Sequence, residues 1–141
     1  MSHPFVDMAH MQAVFYRASD GCEPVDEFIE ALSDVNKQAA VDNQIDRLNT
    51  LRPNDPPLPF PHSSQIEGEL RELRCHYGRE LYRILYRRSG NLFLLLHMFR
   101  KDSCRVSEAD KRIARDRWDD FKARMNAEKR QPPRAAGHDA P

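Results

Sequence analysis

The side chains best equipped for chemistry in this 141-residue chain are arginines, gathered mainly in one stretch. Arg71, Arg74, Arg79, Arg83, Arg87 and Arg88 come close together, and Arg100, Lys101 and Arg105 follow soon after. A guanidinium stays charged at any physiological pH, and its planar fork matches pairs of carboxylate or phosphate oxygens. Chemistry on an anion is therefore the first expectation. If residues 80–87 form a strand, side chains alternate between its faces. Arg79, Arg83 and Arg87 then share one side, and Tyr82, Ile84 and Tyr86 the other. On the preceding segment Arg74 shares a side with Glu72 and Leu70. Antiparallel neighbours about 5 Å apart would let Arg74 and Arg83 converge on one anion.

Missing features narrow the chemistry further. The five glycines are scattered, so no phosphate-cradling loop is present. His76 beside Cys75 stands alone, without a zinc-ligand spacing. The carboxylates of the second half sit among bases, which disfavours a two-metal nuclease centre. No metal and no cofactor is expected. Cys22, Cys75 and Cys104 are odd in number and widely spaced, as reduced structural thiols would be.

The net charge of zero conceals a split. Residues 1–68 carry four bases against eleven acids, and residues 69–130 seventeen bases against ten acids. That asymmetry suits a polyanion-facing half mounted on an acidic half, although charges coating solvated faces would give the same count. No apolar run approaches the ~18 residues of a membrane span. Residues 1–11 lack the basic flank and apolar stretch of a signal peptide, so a cytoplasmic protein is expected.

The elements that must position these groups can be read from periodicity. Met11–Ala18 suits a first strand, ended by Asp20-Gly21. Pro24 suits the first turn of a helix, and Val25, Phe28, Ile29 and Leu32 form its apolar stripe. Ser33-Asp34 offers an N-cap for a second helix that buries Val41, Ile45 and Leu48. Five prolines in residues 52–62 predict an extended crossing loop. Glu69–Cys75, Glu80–Arg87 and Leu92–Phe99 then read as a three-strand meander with short turns. Ser107 and Asp110 match a capping box for a last helix, whose inner stripe is Ala114, Trp118, Phe121 and Met125. The expectation is one α+β domain over residues 1–127, with a two-helix hairpin on a small twisted antiparallel sheet. Residues 128–141 are Pro-, Ala- and charge-rich, composition that predicts a disordered tail. With the helical pair on one sheet face, the other is left partly open for function. Leu81 and Leu85 fall on the Arg83 side, so the last helix should cover part of it.

Pro24–Leu32, Glu72-Leu73-Arg74, Leu81–Tyr86 and Leu94–Lys101 occur in an order and spacing that resembles the phage-derived, HigB-like branch of the RelE/ParE toxin superfamily. The likeness spans roughly residues 11–125, and a helix with repeated arginines falls on Arg112, Arg115 and Arg117. Two positions depart from the family pattern. Asp102 stands where a second lysine is common, and Val106-Ser107 stands for a Thr-Pro. The resemblance implies a RelE-like fold and a metal-independent endoribonuclease that cuts messenger RNA, commonly on the ribosome. It also implies a helix-turn-helix, HigA-like antitoxin as partner.

Under that resemblance Arg74 and Arg83 would clamp the phosphate. Lys101 would be a second electrostatic group or a base, and His97 and Tyr86 further acid/base candidates. Two of these have a plainer reading, Tyr86 as core and His97 as a core histidine satisfied by hydrogen bonds. Arg83 could equally be a surface or antitoxin-pairing arginine. Arg79, Arg87, Arg88, Arg100, Arg105, Arg112 and Arg115 would dock RNA through its backbone, a contact that positions without reading sequence. Solvated strand and helix ends would also account for several of them. Two alternatives share these features: a ParE-like gyrase poison on the same fold, and a non-catalytic basic binding module.

Overall fold

The computed structural model describes residues 10–100, 105–126 and 132–139. Its elements run β1 (Gln12–Phe15), α1 (Pro24–Glu30), α2 (Val35–Asn49), β2 (Ser63–Glu67), β3 (Leu70–Tyr77), β4 (Glu80–Ser89), β5 (Leu92–Arg100) and α3 (Glu108–Met125), then a 3-10 turn at Gly137–Asp139. Each helix begins where its capping residues predict. Pro24 opens α1. Asp34 caps α2, accepting the Asn36 N–H at 2.8 Å. Ser107 caps α3 by accepting the Asp110 N–H at 3.1 Å, and its hydroxyl donates to the Asp110 carboxylate at 2.7 Å.

The five strands form one sheet in the order β1-β5-β4-β3-β2. Strands β2 to β5 pair antiparallel, β3–β5 as the expected meander, whereas β1 lies parallel to β5. The sheet is thus mixed rather than wholly antiparallel. Short turns reveal antiparallel neighbours only, and the β1–β5 pair is joined through two helices and three strands. Strand β2 also escapes sequence reading. It is a polar edge strand directly after the proline-rich loop, and such strands lack the apolar alternation of a buried one.

Both sheet faces are covered near β5, which explains its unbroken apolar run. On one face Val25, Ile29, Val41, Ile45 and Leu48 of α1 and α2 pack on Phe15, Leu73, Tyr82, Ile84 and Leu95. On the other, Ala114, Trp118, Phe121 and Met125 of α3 pack on Val14, Leu85, Leu94 and Leu96. A bulge interrupts this alternation. Leu85 pairs with His97 and Tyr86 with Leu95, which leaves Leu96 as the extra residue. Leu96 and His97 therefore both meet α3, while Leu95 faces the helical pair.

Part of the segment expected to be disordered packs against β1. Ala135 bridges Val14, the Phe15 N–H donates to the Arg134 carbonyl, and the Ala136 N–H to the Ala13 carbonyl, both at 2.8 Å. Arg134 forms ion pairs with Glu23 at 3.0 Å and Asp26 at 2.8 Å. Asn49 holds both sides, accepting from Ala13 N–H at 2.7 Å and donating to the Ala136 carbonyl at 3.2 Å. Composition does not record that the outer edge of β1 has backbone groups in need of partners. No described helix is long and apolar enough to cross a membrane.

Candidate functional site

Arg74 of β3 and Arg83 of β4 meet on the face of the sheet that α3 only partly covers. Arg74 and Arg83 are direct cross-strand partners. Two like charges in that position repel, and a carboxylate relieves them. Glu72, two residues before Arg74 and so on the same face, lies between the guanidiniums. Its Oε1 is 3.4 Å from Arg83 Nε, and its Oε2 accepts from Arg74 at 3.2 Å and from the Ser64 hydroxyl at 2.7 Å. The trio carries one net positive charge.

Burial separates the two arginines. Arg83 is only 2 % exposed and Glu72 4 %, so this pair is part of the interior. Arg74 reaches further out, with its guanidinium 5.0 Å from the ring centre of Phe60. Arg83 Nε and Nη1, Arg74 Nε and Glu72 Oε1 are buried without a hydrogen-bond partner among the described residues. Buried polar atoms without a hydrogen bond are uncommon in folded proteins, and here Arg83 Nε and Glu72 Oε1 face each other as an ion pair.

The bulge brings His97 to this same face, opposite Leu85 and two residues along β4 from Arg83. Its Nε2 lies 2.8 Å from Asp110 Oδ1, and its ring stacks on Phe99 with centres 5.2 Å apart. Asp110 thus serves twice, completing the cap of α3 and fixing the imidazole. The opposite edge of the face is closed by ion pairs from α3 to β2. Arg115 meets Glu67 at 2.7 Å, and Lys111 meets it at 3.7 Å. Arg87 lies over the Trp118 ring at 4.2 Å and pairs with Glu69 at 3.1 Å.

Other sequence candidates lie elsewhere. Tyr86 is on the face of the helical pair, 2 % exposed, and its hydroxyl is 2.7 Å from that of Ser63. That placement removes it from the Arg74–Arg83 cluster, because one step along a strand reverses the face. Arg88 is also on that side, pinning the proline-rich loop through the Pro53 carbonyl at 2.9 Å. Tyr86 and Arg88 help to line a cavity of about 110 Å³ with Leu51, Arg52, Arg71 and Phe93. Arg100 pairs in register with Tyr82 and approaches Glu80 at 3.8 Å. The Tyr82 hydroxyl, and then Lys37, hold the Glu80 carboxyl below its ordinary range. Arg79 is exposed in the β3–β4 turn, and Arg105 and Arg112 are exposed near and on α3. Lys101 lies outside the described residues.

Phe60 and Ser64 were not signalled by the sequence. An aromatic among prolines has no periodicity, and β2 itself was unread. Glu72 carried a signal in its spacing of two from Arg74. Among the described residues, no group of three His, Cys, Asp or Glu side chains is placed to hold a metal ion.

An α+β domain with a mixed five-stranded sheet, consistent with a RelE-like arrangement, thus presents a partly buried arginine cluster beside its last helix. A family model described as Phage derived protein Gp49-like (DUF891) matches residues 27–119, from α1 through most of α3 and including the whole cluster. The chain belongs to this Gp49-like family, whose members are toxin-like proteins of toxin–antitoxin systems. No curated protein matches it in sequence.

Proposed function

We propose that this chain is the toxin of a type II toxin–antitoxin pair in the RelE/ParE superfamily, HigB-like branch, and that it cleaves messenger RNA without a metal ion. The observation that carries this reading is the register of Arg74 opposite Arg83, with a single carboxylate between them. The 2′-hydroxyl of one nucleotide attacks the adjacent phosphorus and loses its proton to a base. The bond from phosphorus to the 5′-oxygen breaks, and an acid protonates that oxygen. The products are a 2′,3′-cyclic phosphate and a 5′-hydroxyl.

In this mechanism Arg74 contacts the phosphate and Arg83 supports it from the interior. Preorganised donors at a developing oxyanion are worth roughly 3–4 kcal/mol each. His97, oriented by Asp110, is the acid/base candidate on this face, since an imidazole nitrogen can either give or take a proton. Lys101 adds positive charge directly after β5. Arg79, Arg87, Arg105, Arg112 and Arg115 dock the RNA or ribosome, and a helix-turn-helix antitoxin of HigA type holds the toxin inactive in the cytoplasm.

The test incubates purified chain with translating ribosomes and message, with free message in chelator, and separately with gyrase and plasmid, and follows growth arrest on expression of wild type, Arg74→Ala and His97→Ala. Message cut to 5′-hydroxyl ends, lost in Arg74→Ala and His97→Ala, supports the reading. Intact message with inhibited supercoiling would favour a gyrase poison. Growth arrest undiminished in both variants would favour a non-catalytic binding module.

A further inference from the structure

We infer that Phe60 is a stacking platform for one unpaired nucleobase of single-stranded RNA, adjoining the arginine cluster. This rests on the reading of that cluster as an RNA site and deepens it. Phe60 is 69 % exposed, one of the few large apolar side chains that the fold leaves in water. It contributes nothing to either core. A lone exposed aromatic is unremarkable by itself. Its setting is what distinguishes it.

One side of the ring is already occupied by the Arg74 guanidinium, whose carbon lies 5.0 Å from the ring centre. Arg74 is itself anchored by Glu72. Phe60 sits in a turn closed by the His62 N–H donating to the Pro59 carbonyl at 2.9 Å, with the Ser63 N–H reaching the same oxygen at 3.2 Å. The Arg74 N–H donates to the His62 carbonyl at 2.8 Å, which ties that turn to β3. Flanking prolines at 59 and 61 stiffen it further. The turn that carries the ring is therefore held before any ligand arrives, which lowers the conformational entropy lost on binding.

Base–aromatic stacking beside a basic groove is the recurrent way to hold single strands without regard to sequence. A base on the open side of Phe60 would complete a guanidinium–phenyl–base stack. Its backbone would then run toward Arg74, where the unbalanced positive charge lies. A protein side chain could cover the same ring, but would leave that charge unanswered unless it brought an acid of its own. The phosphodiester brings ring and charge together on one strand.

The experiment measures binding of a labelled oligouridine and of an abasic strand of the same length, by anisotropy, to wild type, Phe60→Ala, Phe60→Trp and Arg74→Ala. Phe60→Ala should weaken oligouridine binding about tenfold, ~1.4 kcal/mol, and leave the abasic strand unaffected. Phe60→Trp should bind as wild type, with indole emission quenched by oligouridine beyond that of Trp118 in the parent. Arg74→Ala should weaken both strands. Equal binding of oligouridine by wild type and Phe60→Ala overturns the inference while leaving the RNA site standing. If wild-type protein binds neither strand, the RNA reading fails first and the stacking inference with it.

Discussion

Replacing Arg83 by methionine probes the centre of the cluster. The side chains of Arg83 and Glu72 are 3 % and 5 % exposed, and their closest approach is 3.4 Å. Removing one member of a buried pair leaves the other charge shielded from water, which costs about 3–5 kcal/mol. Glu72 would keep Arg74 and Ser64 as partners, so the lower end applies, about 3 kcal/mol. For a chain of this size that corresponds to a fall in Tm of about 10 °C. Arg83→Met with Glu72→Leu removes both charges and substitutes apolar volume. Such exchanges are neutral or stabilising in other proteins, so the double variant should return to within ~1 kcal/mol of wild type. Arg74 would then lose its carboxylate, but it is partly exposed and stays stacked on Phe60. Urea denaturation followed by Trp118 fluorescence, over a double-mutant cycle, gives the coupling energy directly. A single variant costing less than ~1 kcal/mol, or a double variant as unstable as the two singles summed, would refute the buried ion pair.

Three further outcomes follow from other parts of the molecule. Asn49→Ala removes the acceptor of a fully buried amide and a donor to the packed tail, and should cost about 2 kcal/mol in urea denaturation with faster hydrogen exchange at Ala13 and Ala136; unchanged exchange would show that Asn49 does not hold the tail. Burial raises the Asp42 carboxyl above its ordinary value, so the folded state binds more protons there than the unfolded chain, and its stability falls as pH rises through that range. Asp42→Asn should therefore raise the urea midpoint at pH 7, with the gain vanishing by about pH 3, where both side chains are neutral; a gain that persists in acid would point to another cause. If Arg74 contacts one phosphate, Arg74→Gln should lower the slope of log affinity against log salt by about 0.7 for single-stranded RNA, whereas the Arg83→Met/Glu72→Leu protein should keep its slope; equal slopes for wild type and Arg74→Gln would deny the contact.

Local grammar made most of the architecture legible. Pro24 marks a helix start because it lacks an N–H that the first turn would leave unpaired, and Asp34 and Ser107 do so because their side chains accept from backbone donors that the helix itself cannot satisfy. Leu85, read as needing cover on the Arg83 side, is covered by Ala114 and Phe121 of the last helix. What escaped reading was set by partners distant in sequence. The parallel pairing of β1 with β5, the polar edge strand β2 and the docking of Arg134–Ala136 on β1 all depend on contacts that no local pattern encodes. The face that His97 takes is illegible for a different reason. Strict alternation groups it with Leu95, and the extra residue Leu96 breaks that rule.

The candidate site was legible in its register but not in its depth. Alternation correctly joined Arg74, Arg83 and Glu72 on one face, yet it treats every outward position as wet. Helix α3, ion-paired to edge strand β2, closes over part of this face, and that changes the electrostatics. In water two adjacent guanidiniums attract an anion weakly, because solvent screens them. Here one is withdrawn to the interior and matched by Glu72, while the other stays near the surface. The trio keeps a single excess positive charge in a partly desolvated setting, and a phosphodiester carries one negative charge. An RNA backbone reaching Arg74 would balance the cluster without displacing Glu72, so the scaffold need not reorganise when the strand arrives. Glu72 thus relieves the repulsion between the two guanidiniums, and under the proposed reading leaves Arg74 for the phosphate.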